Sequence, residues 1–457
     1  MAGKFRTIST GAGVALLLLL FGVVVVSPTQ AAGKEDGGLV TPRVIGGSVA
    51  PNGSWPSQAA LLYSSVPNPS SAQFCGGTLI DQYWVLTAAH CVTDENGVVD
   101  PTSSIQVAIG INDLTSISSS DRINLTSIEV NPGWNPTTEQ WDFALLELGT
   151  RSNQPTTEMI APSEASSTSG GQPAEVAGWG CTSQSGGNCN PGGYPNDLME
   201  ADVSFISDAQ CLGGDSYGAS FYPSSMICAG NFVSGTPDTC YGDSGGPLIA
   251  FVSGGGRRLA GLTSWGNECA LAKFPGVYSR VLSARGWVLA TLGANLRLEV
   301  TKSGSGSGAV TSNPSGISCG STCSADFTGG TTVTLTAKPD SGSGFKGWSG
   351  PCSGTATCQV TLTEANQVGA AFAKGPTASL KAKPSSKTES RKATFKFKSS
   401  QSGSTFKCQL DGKSWGKCSS PKTYKNLKRG RNHTFRVKAI KDGITGSIKK
   451  YGWYVKN

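Results

Sequence analysis

The sequence contains only two histidines, His90 and His433, among its 457 residues. Any chemistry that needs an imidazole as a base or as a metal ligand must therefore use one of these two positions. Long apolar runs are missing after residue 26, so no later segment is apolar enough to span a membrane. The C-x-x-C pairs typical of zinc sites are also missing, which argues against a metal held by the cysteines.

One apolar run is present, and it lies at the N-terminus. Lys4 and Arg6 precede Val14 to Val26, a run that is too short to span a bilayer comfortably and is typical of a signal-peptide core. Small residues follow at positions 29–32, and we predict residues 1–32 to be a cleaved signal peptide; an uncleaved anchor is the alternative. Fourteen cysteines also favour an oxidising compartment. We expect a secreted, extracellular protein, either free or associated with a cell surface.

Charge is unevenly distributed along the chain. Residues 44–294 carry 7 Lys+Arg against 21 Asp+Glu, a balance of −14, whereas residues 376–457 carry 21 against 3, a balance of +18. One domain rarely combines such different halves, and this length is enough for two or three domains. The sequence therefore predicts separate domains with different surfaces.

The most informative stretch is D-T-C-Y-G-D-S-G-G-P-L at positions 238–248. A serine hydroxyl becomes a good nucleophile only when a base takes its proton, and acyl transfer also needs donors aimed at the developing oxyanion. Small residues beside Ser244 allow a tight turn that exposes its hydroxyl. Gly242 to Gly246 also match the G-x-S-x-G turn of α/β-hydrolases, so this motif alone does not choose a fold.

The positions of the histidines decide between these folds. An α/β-hydrolase has its histidine after the serine, and the only one there is His433, in a distant lysine-rich segment. His90 precedes Ser244, in W-V-L-T-A-A-H-C, and Asp142 lies between them, in W-D-F-A-L-L. The order His, Asp, Ser is that of the chymotrypsin architecture.

Residues 44–294 closely resemble the trypsin-like branch of the chymotrypsin serine proteases. The resemblance rests on six motifs: V-I-G-G at 44–47, T-A-A-H-C at 87–91, D-F-A-L-L at 142–146, G-W-G at 178–180, G-D-S-G-G-P at 242–247 and S-W-G at 264–266. It implies an all-β domain of two barrels closed by a C-terminal helix. Short alternating runs broken by turn residues also indicate an all-β domain, and Ser283 to Leu292 is the one plausible helix.

The resemblance implies a role for each site residue. Ser244, His90 and Asp142 would form the catalytic triad, and the N–H groups of Gly242 and Ser244 the oxyanion hole. Asp238 would lie at the floor of the specificity pocket and select protein or peptide substrates with Arg or Lys at the cleaved bond. The rest of the pocket would be formed by Ser264, Trp265, Gly266 and Gly276.

Two departures from the family pattern bear on this reading. Glu268 stands where trypsins usually have glycine, and the sequence leaves open whether it favours basic side chains or obstructs the pocket. The segment from Ile111 to Asn124, where the family has its calcium loop, lacks the glutamates that would bind the ion. We expect no metal and no cofactor, and a monomer.

The resemblance also implies a zymogen. Cleavage after Arg43 would remove a propeptide of residues 33–43 and free an α-amino group on Val44, which would pair with Asp243. A linker followed by an ordinary strand is the alternative. The resemblance implies three disulfides, Cys75–Cys91, Cys211–Cys228 and Cys240–Cys269. Closeness in sequence suggests four more, Cys181–Cys189, Cys319–Cys323, Cys352–Cys358 and Cys408–Cys418.

The composition changes near residue 295. Residues 295–375 contain alternating strands separated by Gly and Ser and resemble the small β-repeat modules of bacterial secreted proteins, related to the internalin B-repeat. Residues 376–457 alternate apolar residues with lysine and resemble an immunoglobulin or fibronectin-III type sandwich. The first module indicates a spacer; the second indicates either plain solubility or contact with polyanions, such as cell-wall polymers, acidic glycans or nucleic acid.

Two classes of function remain in competition. The first is a secreted serine endopeptidase that cleaves after Arg or Lys through an acyl-enzyme. The second is a catalytically silent homologue that serves as an adhesion or binding protein. The presence of His90, Asp142, Ser244, Asp238 and Arg43 together favours the enzyme.

Overall fold

The computed structural model describes residues 44–185 and 188–457. The predicted signal peptide, the propeptide and Arg43 lie outside these residues. The described residues divide into two compact units, with the boundary between Arg285 and Gly286. Each unit is described by itself below. Within the described residues, no helix has the length and the apolar character needed to cross a membrane.

The first unit consists mainly of short antiparallel strands, as the turn-interrupted apolar runs predict. Glycines and prolines between the runs end each strand after a few residues. Its strands are β1 Ser48–Val49, β2 Gln58–Tyr63, β3 Gln73–Asp81, β4 Trp84–Thr87, β5 Ile105–Ile109, β6 Ile123–Val130, β7 Ala144–Leu148, β8 Pro173–Gly178, β9 Gln184–Ser185, β10 Asn188–Cys189, β11 Met199–Ile206, β12 Met226–Gly230, β13 Pro247–Val252, β14 Gly256–Trp265 and β15 Gly276–Arg280.

These strands close into two barrels. The first barrel has the order β2-β3-β4-β7-β6-β5, and its interior is filled by residues such as Leu61, Val85 and Leu146. The second barrel has the order β11-β12-β15-β14-β13-β8. It closes because the last strand, β8, pairs with the first strand, β11, as well as with its neighbour β13. Val176 and Leu248 belong to its core. The predicted all-β, two-barrel fold is confirmed.

The helix predicted from Ser283 to Leu292 is present as α3, Val281–Thr291. Two single-turn helices, α1 Pro69–Ala72 and α2 Asp208–Cys211, were not expected, because one turn is too short to show helical periodicity. The side chain of Ser207 caps α2 by accepting from the Gln210 N–H. Short 3₁₀ turns occur at Ala89–Cys91, Thr102–Ser104, Leu114–Ser116, Pro162–Thr168 and Gly218–Ser220.

The second unit is also built from strands. Its strands are β16 Asn295–Ser303, β17 Gly308–Asn313, β18 Ser318–Cys319, β19 Ser324–Thr328, β20 Thr332–Pro339, β21 Ser343–Ser349, β22 Cys358–Thr361, β23 Asn366–Lys374, β24 Ala378–Ala382, β25 Lys387–Thr388, β26 Ala393–Ser399, β27 Thr405–Leu410, β28 Gly416–Cys418, β29 Lys422–Tyr424, β30 Arg431–Lys441, β31 Ile444–Thr445 and β32 Lys449–Val455.

Four sheets form the second unit. Strands β16 to β23 form two four-stranded sheets, β19-β16-β23-β21 and β18-β17-β20-β22, around a core that includes Trp348 and Phe372. The sheets β24-β26-β29 and β25-β32-β30-β27-β28 enclose a second core, in which Phe395 stacks on Phe435 with ring centroids 4.0 Å apart. His433 lies in this second core, where Asp411 and the Lys428 carbonyl bind its ring.

All fourteen cysteines are disulfide-bonded, and none is free. The bridges are the seven pairs that the sequence suggests: Cys75–Cys91, Cys181–Cys189, Cys211–Cys228, Cys240–Cys269, Cys319–Cys323, Cys352–Cys358 and Cys408–Cys418. Such crosslinks stabilise small β-domains chiefly by restricting the unfolded chain.

Candidate active site

His90 and Asp142 form the best-defined contact of the site. His90 lies in the 3₁₀ turn after β4, and Asp142 lies in the loop before β7. The Asp142 carboxylate accepts from the backbone N–H of His90 at 2.9 Å and lies 2.8 Å from its Nδ1. Because a carboxylate accepts, Nδ1 carries the proton and Nε2 is left as the basic atom.

Asp142 is held from the second barrel as well. Its side chain is 0% exposed, and the hydroxyl of Ser264, on β14, donates to its Oδ2 at 2.5 Å. The sequence predicts that the Ser264 segment belongs to the substrate pocket, and the Ser264 side chain in addition bonds to this carboxylate. A buried, doubly held carboxylate fixes the histidine ring in one orientation.

A second carboxylate acts on His90. Donor atoms of His90, Glu139 and Asp142 lie within 4.8 Å of one another. Burial alone lowers the pKa of His90, but the charge and hydrogen bond of Asp142 and the charge of Glu139 outweigh it, so that the pKa is raised above the ordinary histidine value. Glu139 was not among the residues that the sequence singled out.

Ser244 lies in a turn clamped between the two barrels. Its carbonyl accepts from Gly76 N at 2.7 Å, and the N–H of Gly245 donates to Thr263 O at 2.7 Å. Gly245 has φ +77°, and a Cβ there would lie 2.2 Å from Thr87 Oγ1, three residues before His90. The turn thus requires glycine and brings Ser244 beside the segment that carries His90. Among the described side chains, the Ser244 hydroxyl is not hydrogen-bonded to His90, and such contacts are often long in ligand-free sites.

Two backbone N–H groups are available beside Ser244. Within the described residues, the N–H groups of Gly242 and Ser244 donate to no protein acceptor. Two neighbouring N–H groups without a protein acceptor are able to bind one oxygen atom. Gly242 has φ +94°, and Gln73 Nε2 donates to its carbonyl at 3.0 Å. Gln73 thereby orients the chain next to these donors, a contact that the sequence did not reveal.

Asp238 is buried, and backbone N–H groups surround its carboxylate. It is 2% exposed, and its carboxylate accepts from Thr239 N at 2.9 Å and from Ala270 N at 2.8 Å. Burial raises the pKa of Asp238 to about 8, although these bonds and one from the Gly276 N–H lower it. A Cβ on Gly276 would lie 2.9 Å from its Oδ1, so the small residue leaves room beside the carboxylate.

The surroundings of Asp238 include side chains that the sequence did not point to. Tyr278 is buried and its hydroxyl lies 3.1 Å from Thr239 Oγ1. Tyr217 donates to Pro275 O at 2.6 Å and packs edge-on against Trp265, with ring centroids 4.8 Å apart. Burial, and then the charge of Asp238, raise the pKa of both tyrosines.

Glu268 is half-buried and has φ +64°. Burial and then the charge of Glu268 raise the pKa of Tyr241, the residue before Gly242. Glu268 therefore acts electrostatically on the segment that leads into the two free N–H groups.

Asp243 and Val44 are both buried next to this site. Val44 is 0% exposed, and Ile45 pairs with Asp238 through a bond from Asp238 N to Ile45 O at 3.1 Å. The Asp243 carboxylate accepts from Gly180 N at 2.8 Å and from Cys240 N at 2.9 Å. Burial raises the pKa of Asp243 to about 6 despite these two bonds.

Metal ligation has few candidates among the described residues. The two clusters of suitable side chains both contain His90, and the sulfurs of one of them are the Cys75–Cys91 disulfide. In the segment from Ile111 to Asn124, Asp113 accepts from Thr115 and Asp121 from Ser118. These carboxylates serve as local turn caps.

Comparisons with known proteins agree with this geometry. The model of the Trypsin family matches residues 44–288, and that of the divergent InlB B-repeat domain matches residues 298–376. Serine protease 1 of Rattus norvegicus is 33% identical over 288 residues, which cover 61% of this chain and 98% of that protein. Ovochymase of Halocynthia roretzi is 34% identical over 263 residues, 55% of this chain and 16% of that protein.

Several relatives are much longer than the matched region. Transmembrane protease serine 11C of Mus musculus is 34% identical over 255 residues, which cover 55% of this chain and 54% of that protein. The chain thus spans about half or less of the length of some curated relatives that it matches.

Proposed function

The chain belongs to the trypsin family of serine proteases, and on that premise we propose that it is a secreted endopeptidase that hydrolyses peptide bonds after Arg or Lys. The observation that carries the proposal is the buried Asp142 carboxylate, which fixes the His90 ring beside the turn of Ser244. Nδ1 of His90 is held by a carboxylate, and Nε2 has the disulfide sulfur of Cys91 at 3.9 Å, an arrangement that suits a general base better than a binding surface.

In the proposed mechanism, Ser244 attacks the scissile carbonyl while Nε2 of His90 takes its proton. His90 then gives the proton to the leaving amine, and water hydrolyses the acyl-enzyme by the reverse route. Asp142 keeps the proton on Nδ1 and stabilises the imidazolium. The N–H groups of Gly242 and Ser244 would bind the oxyanion, where one such donor is worth about 3–4 kcal/mol of transition-state stabilisation.

Specificity is proposed to come from Asp238. A cationic side chain that enters its enclosed site would form a desolvated, hydrogen-bonded ion pair. Gly276 leaves space beside the carboxylate, and Ser264, Trp265 and Gly266 would form the adjacent wall. Tyr217 and Tyr278 are added to this group because the charge of Asp238 acts on both phenol groups.

Activation is proposed to follow cleavage after Arg43. An ammonium group at Val44 would supply a positive partner for the buried Asp243 carboxylate. Since Asp243 separates Gly242 from Ser244, this pairing would set the positions of both oxyanion donors. The Ile45–Asp238 pairing would link the same segment to the specificity site.

The test is a matched series of chromogenic peptides ending in Arg, Lys or Phe, assayed before and after limited trypsin treatment. We expect Arg and Lys cleavage only once sequencing shows Val44 as the N-terminus. Silence toward every peptide in a protein with a free Val44 would contradict the proposal and favour a binding protein. Preference for Phe would contradict the assignment of Asp238 alone.

The pH profile offers a prediction about Glu139. The Glu139→Gln variant removes a negative charge beside His90, so the pKa of His90 should fall. At acidic pH a larger fraction of His90 is then the neutral imidazole that acts as the base. We therefore expect the acid limb of the kcat/KM profile to move to lower pH. Glu129→Gln, an exposed change in the same barrel, serves as control. If the acid limb of the kcat/KM profile lies at the same pH in Glu139→Gln and in the unsubstituted enzyme, Glu139 does not act on His90.

The remaining parts of the chain are proposed to serve export and placement. Residues 1–32 would be the signal peptide, 33–43 the propeptide and 44–294 the protease domain. Residues 295–375 would act as a spacer, and residues 376–457, with their balance of +18, would contact polyanions. The enzyme is proposed to act as a monomer without a cofactor.

A further inference from the structure

The larger sheet of residues 376–457, β25-β32-β30-β27-β28, turns one face to the core and the other to solvent. On β30 the core side is taken by His433, Phe435, Val437 and Ala439, which are buried. Arg436 and Lys438 alternate with them and therefore lie on the solvent side. We call this side the cationic face; its charged members are Lys407, Lys417, Arg436, Lys438 and Lys450.

Like charges stand directly opposite one another on this face. Lys407 on β27 pairs with Lys417 on one side and with Lys438 on the other, so one row of three lysines crosses three strands. In a neighbouring row Arg436 lies opposite Lys450. Opposite side chains are separated by only about 5 Å at Cβ, and like charges in such pairs destabilise a sheet.

Little on the protein offsets this repulsion. Residues 376–457 contain only three acidic side chains, Glu389, Asp411 and Asp442; Glu389 pairs with Lys456 and Asp411 with His433. Among the described residues, no member of the cationic face forms an ion pair with a carboxylate. The Lys438 ammonium lies instead over the ring of Trp415, 4.6 Å from its centroid. The face thus carries a concentrated, uncompensated positive charge.

We propose that the cationic face is the binding site for a base-free phosphodiester polymer of the polyol-phosphate type. A chain of phosphates that crosses the strands would place negative charges between the facing cationic side chains. Their attraction to the phosphates would offset the repulsion within each row. Compact ammonium groups suit phosphate oxygens. Because Lys438 covers one face of the Trp415 ring, that face is not free for stacking nucleobases.

This site deepens the proposed polyanion contact and rests on it, but it uses no residue of the proposed catalytic machinery. The lysines that matter are set by strand register and not by total charge. Another set of lysines, Lys381, Lys396 and Lys398, is exposed on β24 and β26 of the smaller sheet. Lys396 lies opposite Ala382 and Lys398 opposite Ser379, so this second set provides a matched control.

The experiment compares two triple variants of the full chain, with Ser244→Ala included to prevent self-digestion. One carries Lys407→Gln, Lys417→Gln and Lys438→Gln, and the other carries Lys381→Gln, Lys396→Gln and Lys398→Gln. Binding of purified poly(glycerol phosphate) is titrated at several salt concentrations. We expect the first triple to weaken binding at least about tenfold and to lower the slope of log K against log salt by about 2, as for three contacts with a flexible polyanion.

The second triple is expected to weaken binding less than about threefold, since it removes the same charge elsewhere. Equal losses in both triples would overturn the site and leave only a general field. Tighter binding of duplex DNA or of anionic lipid vesicles than of the polymer would overturn the assigned occupant. Both triples, made with Ser244 intact, should keep peptide hydrolysis, so this outcome is separate from that of the protease proposal.

Thermal unfolding gives an independent readout. Removing the facing lysines relieves repulsion, so the Tm of the first triple should rise while that of the second stays unchanged. Weaker binding together with a higher Tm cannot result from unfolding. A lower Tm in the first triple would overturn the repulsion on which the inference rests.

Discussion

The Ser244→Ala variant is expected to lose about 10⁴- to 10⁶-fold in kcat for an arginine peptide, because a methyl group cannot form the acyl-enzyme. KM and Tm should change little, since the turn is held by backbone bonds of Ser244 and Gly245 and not by the hydroxyl. The measurement is initial-rate kinetics on protein whose N-terminus has been shown to be Val44. Active-site titration with a serine-directed phosphonate should give no labelling.

The matched control is Ser119→Ala, the same change on an exposed loop of the first barrel. It should retain full activity and full labelling. Activity of Ser244→Ala within about tenfold of the parent enzyme would rule out Ser244 as the nucleophile, given the size of the loss expected for this group.

The Asp238→Ser variant is expected to lose the preference for Arg and Lys. Truncating one partner of a buried charge pair costs about 2–5 kcal/mol, so kcat/KM for the Arg peptide should fall roughly 30- to 5000-fold. The Phe peptide should be cleaved no more slowly than by the parent. Asp202→Ser removes an exposed carboxylate from the same barrel and serves as control. Arg cleavage that survives Asp238→Ser would place the specificity elsewhere.

The raised pKa of Asp238 gives this prediction a pH dependence. With a pKa of about 8 in the empty site, the carboxyl is mostly protonated at pH 7. A bound cation favours the carboxylate and lowers the pKa, so binding of benzamidine should release protons at pH 7 and strengthen as pH rises towards 8. Calorimetry in buffers of different ionisation enthalpy measures this release, which Asp238→Ser should abolish.

The sequence predicted the two-barrel fold and drew attention to residues that the structure then places near one another. His90, Asp142 and Ser244 each lie in a short motif, and such local motifs can be recognised in a single sequence. The contacts that hold these residues in place cannot be recognised in this way. Ser264 bonds to a carboxylate 122 residues away, and Gln73 to a carbonyl 169 residues away. Contacts at such separation depend on how the barrels pack, which no local pattern records.

The cationic face shows the same limit in the second unit. The alternation of apolar and charged residues on β26 and β30 correctly predicts that the lysines lie on the solvent-exposed side of these strands. It cannot predict that Lys407, Lys417 and Lys438 share one row, because register depends on the turns between strands. Single-turn helices escaped prediction for a related reason: one turn leaves no period to detect.

The bond between Ser264 and Asp142 joins a residue of the second barrel to one of the first. His90 also belongs to the first barrel, and Ser244 belongs to the second. Neither half of the domain therefore contains a working set of groups on its own. Under the proposed roles, peptide hydrolysis would report on domain assembly, and a nascent chain with only its first barrel folded would not cleave its neighbours. On mild denaturation, separation of the barrels would silence the enzyme before either one loses its strands.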